Sequence, residues 1–252
     1  MAPDSDELKS LADTALAYGG QPAYERAKAA GKTRLTYAQW VEVRTPGFKR
    51  QFGDWEAIRH AAVLHGKAVA TLRLEDAPKG GYADVEKWAA AIFAKQGGKA
   101  VSPEIGEVIL DKRAAKNSLA HSGTRGPNAA KKTAFAAVKD VIEHGALVHR
   151  HPGKGEDSYY IAAPVVISGH DNIVTVLVHR DVNTHRMYLH SVILKRFLLE
   201  KAVSSADAEA SKRSGGANSS PRGIRSVLHH ILTINPATLS RPIDPGTGEP
   251  VL

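Results

Sequence analysis

Three runs between residues 158 and 195 constrain this chain more than any other feature: SYYIAAPVVIS, NIVTVLVHRD and RMYLHSVILK. Each is rich in β-branched and aromatic residues, and the spacers GHD and VNTH are turn-like. Three such runs in succession predict an antiparallel meander. Helical patterns precede it. DELKSLADTALAYGG and PAYERAKAAG read as two short helices, the second with Pro22 near its start and Gly31 past its end. RLTYAQWVEVR reads as a third. TPGFKRQFGDWEAIRHAAVLHG has Thr45 as its N-cap and Pro46 at the first helical position. YADVEKWAAAIFAKQ is amphipathic, and GEVILD is a short strand. Phe135, Val138, Val141 and Ile142 recur at helical spacing, so a helix over 128–143 carries one buried stripe and ends at Gly145.

The expected fold class is α+β: helices followed by a small antiparallel sheet, with an N-terminal helical region. Residues 1–78 form a helical adaptor and 79–200 the α+β domain. Residues 201–224 form a flexible linker, flexible by its Ser, Ala and Gly content, and 225–252 a C-terminal helix and tail. The tail PIDPGTGEPVL is turn-rich and has no core of its own. No apolar run approaches the roughly 20 residues of a membrane span, and the acidic start MAPDSDELKS is not a signal peptide.

Charge is unevenly spread. Residues 111–154 hold nine Lys or Arg against three acids, which is six of the chain's net charge of +8. Such a segment either attracts a polyanion or forms a solvated helix face. Cysteine is absent, so disulfides, thiolate catalysis and Cys-ligated zinc are excluded. Twelve histidines make imidazole the natural acid–base group. His121 stands in SLAHSGT, among Ser118, Ser122 and Thr124, with Lys116 before it and Arg125 after it: the parts of a phosphate cradle holding a proton-transfer group. In the last strand, alternation puts Tyr188 and His190 on one face and Leu189, Ser191 and Ile193 on the other, with Arg180 near the first pair across the hairpin. His149-Arg150-His151 and His229-His230 lack a recognised metal-ligand spacing, and no HExxH, GxSxG or glycine-rich dinucleotide fingerprint occurs. GKT at 31–33 is not a P-loop, because Arg26 stands where its first glycine is required.

Two strings are familiar. KTRLTYAQWVEVRTPGFKRQFGDWE resembles the TPxFKxWFGDWE-like connector of phage and polymorphic-toxin polyvalent proteins, with Gln51 where an aromatic is usual. RPIDPGTGEPVL resembles a second connector of those proteins. Through VILDKRAAKNSLAHSG, AAVKDVIEHGALV and the three strands, residues 107–197 resemble the large polyvalent protein-associated nuclease-like domains, grouped with the barnase–EndoU–colicin–RelE superfamily.

That resemblance implies a metal-independent endoribonuclease of the toxin kind, needing no cofactor. A base takes the ribose 2′-hydroxyl proton, the oxygen attacks the adjacent phosphate, and an acid protonates the departing 5′-oxygen. His121 and His190 would be the acid–base pair, Lys116 and Arg180 would hold the phosphate, and Tyr188 would orient or stack. The implied partners are RNA, tRNA among the candidates, and an acidic immunity protein. The implied place of action is the cytoplasm of a target cell, reached by specialised delivery. The alternative is a module of a phage polyvalent protein that binds nucleic acid or a partner without cutting.

Overall fold

Short helices open the chain because caps and glycines punctuate it often. The computed structural model describes residues 5–120, 128–151, 156–181, 183–196 and 221–252. Helices α1 (Ser5–Ala17) and α2 (Gly20–Ala29) are separated by Tyr18 and Gly19; Gly19 and Gly20, the first residue of α2, are both at positive φ. Helix α3 (Tyr37–Glu42) starts on a Thr36–Gln39 capping box. Thr45 caps α4 (Pro46–Phe52) by accepting from the Phe48 amide, with Pro46 at the first position as expected. The expected single helix stops at Gly53, and α5 (Trp55–Leu64) restarts on the Asp54 carboxylate. Gly53 is obligatory there. Its φ is +96°, and a Cβ would come within 2.9 Å of the Thr238 carbonyl oxygen.

The remaining elements are β1 (Ala70–Leu72), α6 (Tyr82–Lys95), β2 (Lys99–Ser102), β3 (Gly106–Ile109), α7 (Lys112–Ala120), α8 (Ala129–Ala134), α9 (Val138–His144), β4 (Ala146–His151), β5 (Glu156–Ile167), β6 (His170–Asp181), β7 (Met187–Arg196) and α10 (Pro221–Thr233). The expected meander is β5–β6–β7, paired antiparallel throughout. It forms the middle of a larger, mixed sheet of seven strands. β4 and β1 share the outer edge of β5, the first antiparallel and the second parallel. β3 joins β7 in parallel, and β2 completes that edge. The α+β class holds.

The expected helix over 128–143 is α8, a 3₁₀ turn at Phe135–Ala137 and α9 in succession. Thr133 donates its hydroxyl back to the Ala129 carbonyl, a contact that bends helices. The stripe Phe135, Val138, Val141 and Ile142 is fully buried, as its spacing requires. The linker expected to run to residue 224 overlaps α10, which begins at Pro221.

Both sheet faces are covered over much of their length, which is why the strands read as nearly continuous apolar runs. On one face α6, α7 and α9 pack against Ile161, Ala163, Val165, Val174, Val176 and Val178. On the other, α5 and α10 pack against Ala146, Val148, Ala162 and Ile173. The tail beyond α10 adds Leu239 and Ile243 to the cluster of Val43, Phe48 and Trp55, so the two connector-like strings at opposite ends of the sequence pack together.

Candidate functional site

Beyond the cover of α5 and α10, the same sheet face carries imidazoles and phenols. One register row crosses four strands: His151 of β4 pairs with Ser158 of β5, Ser158 with His179 of β6, and His179 with Tyr188 of β7. The next row begins His149–Tyr160. Period-2 alternation explains the set. In VHRH and VHRD the histidines fall on this face, and Arg150 and Arg180 fall on the other.

His190 joins them through a bulge. Leu177 pairs with Ser191 and Val178 with Leu189, so His190 is the extra residue of β7. Its ring lies parallel to that of His179, 3.9 Å between centroids and 5° between planes. The Tyr188 ring meets His179 edge-on at 6.0 Å. The bulge also breaks the expected alternation. Leu189 and Val192 enter the α6–α9 core, whereas Ile193 packs on the α5–α10 side, and Ser191 faces that side opposite Leu177. Across β4, His149 stacks on His151 at 6.4 Å and contacts Tyr160 at 5.7 Å. Burial, and then the neighbouring His151, hold His149 below the ordinary imidazole value.

The residues singled out from sequence are thus partly assembled. His190 and Tyr188 stand together around His179. Arg180 is on the opposite face, beside Asp157 at 3.7 Å and His185 at 2.9 Å, because it follows His179 in an extended strand. Lys116 is exposed on α7, a helix that buries Ala114, Ala115, Ser118 and Leu119 against that opposite face. Ser118 donates to the His190 carbonyl, which fixes α7 behind the bulge. His121, Ser122, Thr124 and Arg125 lie outside the described residues. Several cations of the basic segment act on backbone: Lys132 donates to the Gly80 carbonyl, Lys139 to Gln96 and Arg150 to Tyr18. In the sequence His149 and His151 are weighed only as metal ligands and His179 is not singled out, although the HRH and HRD alternation marks all three.

Among the described residues, no three His, Asp or Glu side chains converge to hold a metal ion, and no helix is long and apolar enough to cross a membrane. The face offers imidazoles for proton transfer and aromatic rings for stacking. Residues 80–188 match the family model described as large polyvalent protein-associated domain 3. The matched span takes in His149, His151, Ser158, His179 and Tyr188 and ends two residues before His190. No curated protein and no solved structure matches the chain.

Proposed function

We propose that this chain cleaves single-stranded RNA on the histidine face, using imidazoles in place of a metal ion. The observation that carries the reading is the row His151–Ser158–His179, with His190 stacked on His179. Two rings 3.9 Å apart leave no room for a phosphate between them, so His179 and His190 act from one side. The group facing them across the row is His151, two strand spacings or about 10 Å away at the backbone. Ser158 between them is small enough to leave a notch. A phosphate in that notch would have one imidazole near the 2′-hydroxyl to take its proton and another near the 5′-oxygen to return one. Tyr188 and Tyr160 suit stacking of the flanking bases.

Arg180 follows His179 at the margin of the sheet, on its reverse side, where a backbone curving round the strand ends would meet it. The net positive charge favours RNA capture by counterion release. The match to a domain of large polyvalent proteins supports use as an effector in a target cell, where an acidic protein covering this face would be the natural inhibitor.

The test uses the full chain with a single-stranded RNA and its all-deoxy counterpart in excess EDTA. Cleavage of the RNA alone, giving 2′,3′-cyclic phosphate ends, is expected. His151→Ala or His179→Ala should slow it by about 10²–10⁴-fold. His190→Ala and His121→Ala, run alongside, show whether either histidine contributes. Binding of both strands with neither cut would replace the reading with that of a binding platform.

A further inference from the structure

A small cavity of about 30 Å³ lies in the seam where the N-terminal helices meet the sheet, between α2, α3, α5, the turn joining β2 to β3, and β4. Its charged walls are lopsided. Lys32, Arg44, Arg59 and Arg150 face two acids, Glu56 and Glu104. Both acids are already committed. Glu56 accepts from Lys49 and the Tyr18 hydroxyl and lies 3.6 Å from Arg44. Glu104 is divided between Arg59 and Arg150, each 3.9 Å away, and also accepts from the Leu147 amide.

Lys32 is left over. The end of α2 fixes its place. Gly31, at φ +67°, turns the chain so that its own amide donates to the Lys28 carbonyl and the Lys32 amide to the Ala27 carbonyl, the two bonds of a Schellman motif. The side chain is half-buried against the cavity, and no hydrogen bond or ion pair holds its ammonium among the described residues. Its nitrogen stays open to solvent, unlike the enclosed Nε1 of Trp40 in the same wall.

Burial pushes the Lys32 ammonium below its ordinary value; the pull of Glu104 opposes that, and the repulsion of Arg59 adds to it. A partly desolvated cation without a counter-ion carries a cost that an arriving anion removes. Room sets the size of that anion. The cavity has space for about two waters, which suits the oxygens of one oxyanion and excludes a ring.

We infer that this seam binds one phosphate group, with Lys32 supplying the charge and Arg59 and Arg150 turning donors toward it from Glu104. The phosphate is free in solution or is the terminal group of a nucleic-acid strand. Bound there, it ties the end of α2 to α5 and β4 and braces the helical region against the sheet. None of this depends on RNA being cut.

The test uses the full chain at fixed ionic strength, with chloride as the reference, so that screening stays constant. Inorganic phosphate, a short 5′-phosphorylated oligodeoxynucleotide and its 5′-hydroxyl twin are titrated, followed by NMR amide shifts, calorimetry and the thermal midpoint. Phosphate or the phosphorylated strand should bind saturably, shift the amides of residues 27–33 and Glu104, and raise the midpoint. Lys32→Met should weaken that binding about tenfold, the scale of one hydrogen bond to a charged group. Without ligand it should be no less stable than the parent, because it deletes a cation that lacks a partner. Lys32→Arg should bind like the parent.

A preference for the phosphorylated strand over its twin makes a strand end the ligand; binding of inorganic phosphate alone makes it the free ion. The site is wrong if neither binds saturably, or if Lys32→Met binds phosphate as well as the parent does. Deoxy strands offer no 2′-hydroxyl, so these results stand apart from those of the cleavage assay.

Discussion

Arg44 shows how much one side chain can hold. It is buried, its guanidinium lies 4.1 Å over the Trp40 ring, and it reaches Glu249 at 2.7 Å and Glu56 at 3.6 Å. It also donates to the Trp40 carbonyl. Glu249 is itself nearly inaccessible, so each charge depends on the other for compensation. Glu249→Gln keeps the shape and removes the charge. It should destabilise the fold by about 3 kcal/mol, since breaking one side of a buried pair costs roughly that much. A shifted urea midpoint with an unchanged slope would show it; no shift would mean that Glu56 alone satisfies Arg44. The same cluster explains the FGDWE string. Gly53 admits the tail backbone, Asp54 caps α5, Trp55 donates to the Val43 carbonyl, and Glu56 takes the cations.

At the scale of elements, α10 couples the far end of the sequence to the sheet. Ile224, Leu228 and Ile231 recur at helical spacing and are all buried against α5, β4 and β6 residues. Leu228→Ala leaves a cavity in that layer and should cost about 3 kcal/mol, within the range for large-to-small core changes. Thermal or urea unfolding measures it. A loss under 1 kcal/mol would mean that α10 is only loosely seated. The amphipathic pattern of PRGIRSVLHHILT is legible in sequence, but its destination is not, because nothing local states which sheet face lacks a cover. β7 teaches the converse: its strand character is evident, while the bulge that turns His190 onto His179 depends on pairing with β6.

At the scale of the whole molecule, a cluster of ions joins the N-terminal helices to the tail. Burial by itself would push the Glu56 carboxyl up, but Lys49, Arg44 and the neighbouring cations outweigh it and hold the carboxyl far below its ordinary value of 4.5. A depressed carboxyl contributes stability that is fully present above the unfolded value. That stability is lost as pH falls below about 4.5 toward the folded value. The urea midpoint should therefore drop between pH 5 and pH 3, within the range where carboxylates protonate. A Glu56→Gln variant, weaker at neutral pH, should drop less. Equal slopes for the two proteins would remove Glu56 as a source of acid sensitivity.

What the chain declares by itself is local. Alternation and β-branching announce β5, β6 and β7; caps, Pro46 and apolar spacing announce the helices; and HRH and HRD carry the alternation that places histidine and arginine on opposite faces. These depend on the period of the backbone and on neighbours a few residues away. The tertiary structure alone decided that β1 and β3 join the sheet in parallel, and that Ser158 sits between His151 and His179. It also brought Glu249 to Arg44, 205 residues earlier. Register and long-range ion pairs are settled by which surfaces are left to bury after the local elements form, and no short window of sequence contains that information.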